Sequence, residues 1–179
     1  GVCRIVAIGD STTAGSDALR RIAFTMGTAI PFGGNGHFYE YVADPNSNWT
    51  VAKGLAEART LFGLQGYLAT ITSAQEQEFI TQKVSGVAWI GATDSYTQIN
   101  AVIPAGDAYA GQAASEGKWY WVTGPEAGTR ITDSNDPVVP VNGRFLAWNT
   151  GEPNNAGGEH YAHMMNWTDP PGLWNDVPD

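Results

Sequence analysis

The sequence predicts an α+β fold in which two helices flank short antiparallel sheets, a long loop region comes after them, and a β-rich extension precedes them. An apolar stripe at helical spacing predicts the first helix over residues 49–63. Ser73 and Glu76 form a capping-box pattern, which predicts a second helix over 73–85. Residues 125–160 are irregular and polar, and a loop of that length usually carries function.

The remaining elements can be assigned in chain order. Residues 2–8 are rich in β-branched side chains and predict a strand, 9–18 have the chemistry of turns, and 19–30 predict a second strand. The breaker cluster "PFGGNG" then marks a boundary between an extension at 1–35 and a main domain at 36–179. Residues 95–117 are loop-like. Strands are predicted over 37–43, 67–71, 87–94, 118–124, 161–167 and 173–177. We expect six tryptophans to lie in the core or in loop packing: Trp49, Trp89, Trp119, Trp121, Trp148 and Trp174.

Composition restricts the function. The 179 residues carry a formal charge of −9, so phosphate backbones and anionic membranes should repel the chain. We therefore expect no nucleic-acid partner and no membrane insertion, since no apolar run is long enough to span a bilayer. Cations and neutral polar molecules are the expected partners.

The stretch "GEPNNAGGEH", residues 151–160, gathers oxygen-bearing side chains on a segment made of turn residues. Carboxylate and amide oxygens are suitable ligands for calcium, a hard cation that takes about six to eight oxygens. Glycines let the backbone turn tightly around an ion, and Pro153 fixes one bend.

An ordered set of motifs resembles the C-type lectin-like domain family. Each motif alone is weak, but together, in family-like order and spacing, they make the resemblance specific. They are "HFYEYV" (37–42), "WTVAKGLAEA" (49–58), "GYLATITSAQEQEFI" (66–80), "VAWIGATD" (87–94), "EGKWYWVTG" (116–124), "FLAWNTGEPNNAGGEHYAHM" (145–164) and "WND" (174–176).

The resemblance implies a calcium-dependent carbohydrate-binding module of a secreted or cell-surface protein, in which a sugar binds directly to calcium. It implies a cis peptide bond before Pro153, and the Glu-Pro-Asn order resembles the family's mannose-type subset. The implied partners are glycans or surface glycoconjugates. The implied calcium ligands, which are also the sugar-binding residues, are Glu152, Asn154, Glu159, Asn175 and Asp176.

Two departures from the family pattern concern its disulfides and its second calcium. Cys3 is the only cysteine, so the framework disulfides are absent, which resembles a bacterial or phage-type member. His160 stands where many members have an acid that serves a second calcium, although Asn155, Asp133 and Asp136 offer oxygens there. The pair of His160 and His163 suggests a transition metal, but we interpret them as a loop residue and a strand residue.

A third departure is that the family's final strand does not come after "WND". Without a partner, the strand at 37–43 would present an open edge. Either the chain is a fragment, or residues 1–30 or a neighbouring molecule fill the gap. In the last case, strand exchange would drive self-association into polymers.

Two alternative functions come from different classes. The scaffold can act as a structural or adhesion module that makes protein contacts in a surface assembly. The segment "IVAIGDSTTAG" resembles the first block of GDS-type esterases, with Ser11 as nucleophile. Such an enzyme needs an Asp-x-x-His pair, which the sequence lacks, so we predict that the protein is not an enzyme.

Overall fold

The structure, a computed structural model, describes residues 2–8, 30–44, 46–133 and 136–179. Its strands are β1 (Val2–Ile8), β2 (Ile30–Pro31), β3 (Phe38–Val42), β4 (Thr60–Leu61), β5 (Leu64–Leu68), β6 (Val87–Thr93), β7 (Tyr120–Trp121), β8 (Thr129–Arg130), β9 (Tyr161–Met165) and β10 (Trp174–Val177). Its helices are α1 (Trp49–Glu57), α2 (Ala74–Thr81), α3 (Tyr96–Asn100) and α4 (Gln112–Ser115), with 3₁₀ turns at Ala105–Asp107 and Val141–Gly143. The predicted α+β class is confirmed.

One sheet runs through the molecule in the order β10-β9-β6-β1-β3-β2, with β5 also paired to β1 and β7 to β6. Neighbouring strands are antiparallel except for β1 and β6, which are parallel. The sheet brings the end of β6 next to the start of β9, where Thr93 lies opposite Tyr161. This junction positions the loops that carry the candidate site.

Strand β1 fills the gap that the sequence left beside the first strand of the main domain. It pairs with β3 from Arg4 opposite Val42 to Ile8 opposite Phe38, and with β6 from Val2 opposite Val87. The predicted strand at 2–8 is therefore confirmed, and it pairs within its own chain. The predictions for 9–18, for 19–29 and for Ser11 fall outside the described residues.

Helix α1 begins as predicted but is shorter. The Asn48 side chain caps it by accepting from the amide of Val51 at 2.9 Å. The predicted end at residue 63 is wrong, because the helix stops at Glu57 and β4 and β5 form a hairpin. Phe62 and Gly63 form its turn with positive φ angles of 52° and 81°, a conformation outside the helical region.

Helix α2 begins at the predicted capping residue. Ser73 Oγ accepts from the amide of Glu76 at 3.2 Å. The Glu76 carboxylate does not return to Ser73, as a capping box requires, but accepts from the amide of Thr72 at 2.7 Å. Its other oxygen accepts from Tyr39 and Asn35, so Glu76 joins the helix start to the first strand of the domain.

The prediction of a loop over 95–117 is wrong, since this segment contains α3, α4 and a 3₁₀ turn. These short helices are held by contacts that are distant along the chain. The Asn100 side chain donates to the carbonyl of Tyr109 at 2.9 Å and accepts from its amide at 2.8 Å. Gln112 donates to the backbone carbonyl of Asp94 at 3.2 Å.

Two hydrophobic clusters form the core. One includes Trp119, Trp121 and Trp174, and the other includes Trp49 and Trp89. The five are almost fully buried, as predicted, and Trp148 is half-buried against the first cluster. Among the residues that the structure describes, no helix has the length and apolar character needed to cross a membrane.

Candidate functional site

The loop before β9 has the shape that its sequence predicts. The peptide bond between Glu152 and Pro153 is cis, as the resemblance implied. Asn155, Gly157 and Gly158 have positive φ angles of 50°, 84° and 94°. Glycine and asparagine tolerate this left-handed region best, so the loop reverses direction within a few residues.

Asp176 on β10 fastens this loop to the sheet. Its Oδ1 accepts from the amide of Asn154 at 3.0 Å, and its Oδ2 accepts from the amide of Asn155 at 2.8 Å. The side chain is buried, and its strand is held in register by Asp176 lying opposite Ala162 of β9. The "EPN" and "WND" motifs are therefore in direct contact.

The loop also has internal hydrogen bonds that orient its polar side chains. The amide of Ala156 donates to Asn154 Oδ1 at 2.8 Å and to Glu159 Oε2 at 2.9 Å. The amide of Glu159 donates to Asn155 Oδ1 at 2.7 Å. Oxygens of Asn154 and Glu159 thus converge on one backbone amide, which holds two of the predicted ligands together.

Two of the predicted ligands have an oxygen without a partner. Glu152 Oε2 and Asn175 Oδ1 are buried and accept no hydrogen bond from the described residues. A buried polar atom without a partner is costly, so such atoms usually meet an ion, a water or a ligand.

The carboxylates of the site disfavour one another's charge. Burial is the main cause that raises the pKa of Glu152 to about 7, and the nearby carboxylates of Asp176 and Glu159 add to it. Burial also raises the pKa of Glu159, and the charge of Asp176 adds to this effect. A cation among these groups would relieve both the desolvation and the repulsion.

The donor set fits calcium, because it consists of carboxylate and amide oxygens. The structure brings Glu152, Asn154 and Glu159 of the loop to Asp176, and it places Asn175 beside Asp176 on β10. For the second calcium, the oxygens expected from the loop are engaged locally, since Asn155 binds the amide of Glu159 and Asp136 accepts from Val138 at 3.1 Å. The amide of Asp133 donates to the carbonyl of Val139 at 2.8 Å.

The sequence analysis missed a group formed by Asp94, Glu116 and His160, whose ligand atoms all lie within 4.8 Å of one another. A signal was present, because Asp94 ends a predicted strand, Glu116 precedes another, and antiparallel pairing of those strands brings the two acids together. His160 lies in the loop and His163 in β9, as we interpreted them.

Comparison with known proteins gives the family. No protein-family model matches the chain. The chain is 30% identical over 146 residues to C-type lectin domain family 4 member K of Mus musculus, an alignment that covers 80% of this chain and 33% of that protein. The Homo sapiens protein of the same name is 30% identical over 148 residues, with the same coverage. The chain contains a C-type lectin-like domain.

The C-type lectin-like domain is also 40% identical over 146 residues to part of halomucin from Haloquadratum walsbyi, covering 81% of this chain and 1% of that protein. The chain thus spans a small fraction of halomucin and about a third of the lectin relatives. Among solved structures, a mouse scavenger receptor C-type lectin carbohydrate-recognition domain aligns over 62% of this chain and 59% of its own, with 26% identity and a TM-score of 0.36.

These relatives bear on the function class. They are named for C-type lectin domains, and this confirms the prediction that the C-type lectin-like domain is a lectin-like module and not an enzyme.

Proposed function

We propose that this domain binds calcium through Glu152, Asn154, Glu159, Asn175 and Asp176, and that neutral glycans of the mannose type bind at the same place. We further propose that the domain works outside the cell, on a secreted or surface protein, with glycans or surface glycoconjugates as partners. The Glu-Pro-Asn order supports the mannose type by its resemblance to that subset of the family.

One observation carries the proposal. Glu152 Oε2 and Asn175 Oδ1 are buried oxygens without a hydrogen-bond partner, and they come from the two motifs that Asp176 joins. An oxygen-rich group with two unmatched acceptors and no facing cation among the described residues favours a hard cation as ligand. The raised pKa of Glu152 supports the same conclusion, because close carboxylates lack a compensating charge.

The chain's own residues would orient the sugar. Bound calcium would supply coordination positions for two adjacent sugar hydroxyls. The carboxylates of Glu152 and Glu159 accept hydrogen bonds from those hydroxyls, and the amide NH₂ groups of Asn154 and Asn175 donate to them. Acceptors and donors around one pair of hydroxyls fix the orientation of the ring, which is the basis of selection among sugars.

Isothermal titration of calcium tests the metal. The intact chain should bind calcium at millimolar concentration or below, and Glu152→Gln should weaken binding about tenfold or more, because it removes one charge from the donor set. Glu57→Gln is the matched control, since Glu57 lies on α1 and pairs with Lys53 at 2.7 Å. No calcium binding at millimolar concentration would refute the proposal.

A glycan array probed with and without EDTA tests the sugar. We expect mannose-type glycans to bind in calcium and to be lost in EDTA. Calcium binding combined with a blank array would instead support a structural or adhesion module that makes protein contacts.

A further inference from the structure

A cavity of about 840 Å³ lies beside the proposed calcium loop. Three parts of the chain line most of it: helix α2, the loop segment (residues 145–152) and the proline segment (residues 170–173), which precedes β10. Pockets that bind small organic ligands measure about 300–1,000 Å³. The cavity is therefore large enough to hold an organic group of that class.

Hydrogen bonds fix these three parts relative to one another. The amide of Trp174 donates to the carbonyl of Ala147 at 2.7 Å, and the amide of Asn149 donates to the carbonyl of Trp174 at 2.8 Å, so the loop segment is held along β10. Gln77 Nε2 on α2 donates to the carbonyl of Gly172 at 2.6 Å, which holds the proline segment against the helix. The cavity thus has its shape before a ligand binds, which lowers the cost of binding.

The lining of the cavity is mainly apolar. Its large apolar side chains are Val138, Phe145, Leu146, Trp148, Pro170 and Leu173. Two polar side chains on the α2 wall are already engaged, since Gln77 Oε1 accepts from Trp174 Nε1 at 3.0 Å and Thr81 Oγ1 donates to the carbonyl of Gln77 at 2.7 Å. The hydroxyls of a second sugar ring would find few partners there, whereas an alkyl chain only leaves water.

The charges at the cavity exclude anionic ligands. Its two charged side chains are Glu78 and Glu152, and neither lysine nor arginine lines it among the residues that the structure describes. Like charges brought together cost free energy, so fatty carboxylates and phosphates are disfavoured. An alkyl chain carried by a neutral sugar meets no such repulsion.

Glu152 belongs to both the cavity and the calcium loop. It is a proposed calcium ligand, and it also lines the cavity. Its amide donates to the carbonyl of Asn149 at 3.0 Å, so one tight turn leads from the apolar lining into the loop. A sugar bound at the loop would therefore lie at the edge of the cavity, where an apolar group attached to that sugar can enter it.

We propose that this cavity binds the neutral alkyl chain of a glycolipid whose mannose-type sugar is held at the calcium loop. The inference rests on the proposed function, because the sugar brings the chain to the cavity. It narrows the partner from glycans in general to glycolipids, whose two parts bind at adjoining places.

Isothermal titration of the intact chain with methyl α-mannoside and octyl α-mannoside tests the inference, in calcium and below the concentration at which the octyl compound forms micelles. The two ligands share one sugar and differ only in the alkyl chain. We expect the octyl compound to bind at least about tenfold more tightly, because its chain leaves water, and both to be lost in EDTA. Equal affinities, or octyl binding that persists in EDTA, would overturn the inference and leave the proposed function standing. Binding of neither compound would overturn both.

A variant that fills the cavity gives the second measurement. Ala74 lines the cavity and is exposed at the start of α2, so Ala74→Phe places a ring in the space without changing the core. We expect the tenfold advantage of the octyl compound to be lost and the affinity for methyl α-mannoside to stay unchanged, which also shows that the variant folds. Val51→Phe is the matched control, since Val51 is exposed on α1, away from the cavity lining. An advantage that survives Ala74→Phe, or is lost in Val51→Phe, would overturn the inference.

Two further measurements test other occupants of the cavity. A mannose disaccharide should have the same affinity for Ala74→Phe as for the unaltered chain, and a weaker affinity for the variant would mean that a second sugar fills the cavity. Light scattering should give the same mass for both chains. A dimer that Ala74→Phe dissociates would mean that a second copy covers the cavity, and either result would overturn the inference.

Discussion

The backbone amide of Asn154 donates to Oδ1 of Asp176 at 3.0 Å, so the loop before β9 is tied to the strand β10 that comes after it. Asp176→Asn replaces one acceptor oxygen by an NH₂ group, which would face the amide of Asn154 or Asn155. We expect a loss of about 1–3 kcal/mol in the free energy of unfolding in EDTA, because a buried donor loses its acceptor. Calcium affinity should fall about tenfold or more, since one ligand charge is lost.

Chemical denaturation in EDTA and calcium titration measure the two effects. Asp179→Asn is the matched control, because Asp179 likewise accepts from a backbone amide, that of Thr50 at 2.9 Å, but lies exposed. A loss of stability as large in Asp179→Asn as in Asp176→Asn would contradict the special role of the buried contact.

Gly91 in β6 has no room for a side chain. A Cβ atom there would lie 1.9 Å from Thr123 Oγ1 and 3.0 Å from the carbonyl oxygen of Leu68, which Thr123 itself binds at 2.8 Å. We expect Gly91→Ala to lower the free energy of unfolding by about 1–3 kcal/mol, because the core must shift. Gly106→Ala, where no atom lies within 4 Å, should be neutral or stabilising by up to about 1 kcal/mol. Urea unfolding measures both variants. Equal changes in their free energies of unfolding would contradict this expectation.

His163 should make stability depend on pH. It is 8% exposed and packs 5.8 Å from the Trp89 ring, and neither ring nitrogen has a hydrogen-bond partner among the described residues. Burial lowers the pKa of His163 to about 4. In the unfolded chain the pKa of His163 is about 6.5. Above that pH the imidazole is neutral in both states and costs no stability, and the free energy of unfolding falls as the pH drops from 6.5 toward 4. The loss is about 3 kcal/mol.

Urea unfolding between those two pH values measures this loss. His163→Phe fills a similar volume and carries no proton, so its free energy of unfolding should fall less steeply with decreasing pH. Subtracting the two curves removes the contribution of the carboxylates. Parallel curves would show that His163 is not the group responsible.

The strand β1 should be needed for a monomeric protein. A chain that begins at Gly36 would leave the paired edges of β3 and β6 without their neighbour, and open edges associate. We expect oligomers in light scattering and a lower melting temperature, and rescue when a peptide of residues 1–10 is added. A monomer with unchanged melting would contradict a structural role for β1.

The features that depend on local pattern could be predicted from the sequence. Ser73 caps its helix as predicted, and the predicted strands 37–43, 87–94, 161–167 and 173–177 lie within two residues of β3, β6, β9 and β10, because turn and cap residues act over a few positions. Two strand predictions are wrong in their bounds, since the strand expected at 67–71 lies at Leu64–Leu68 and the strand expected at 118–124 is only Tyr120–Trp121. The capping-box pattern places the Glu76 carboxylate at its own helix start, where one oxygen accepts from the amide of Thr72, but the other oxygen accepts from Tyr39, which lies 37 positions earlier. No local pattern encodes such a contact.

Contacts between residues that are distant in sequence also explain the other features that could not be predicted. The Asn100 side chain at the end of helix α3 binds the backbone of Tyr109. The polar composition of this segment is typical of a loop and does not predict that contact. The proposed calcium ligands come from two short motifs and from the family resemblance, so the sequence alone could suggest them. Asp94 and His160 are separated by 66 positions, so only the paired strands bring them together.

Strand β1 also determines how the module would respond to a mechanical pull. It runs parallel to β6, and β9 reverses direction before β10 reverses it again, so the first and last strands point the same way. Tension between the two ends would slide these strands along their own axes, loading the hydrogen bonds of the sheet together and not one after another. Unfolding under tension is governed by the rate of crossing that barrier. A module with this strand order would therefore lengthen only at high force.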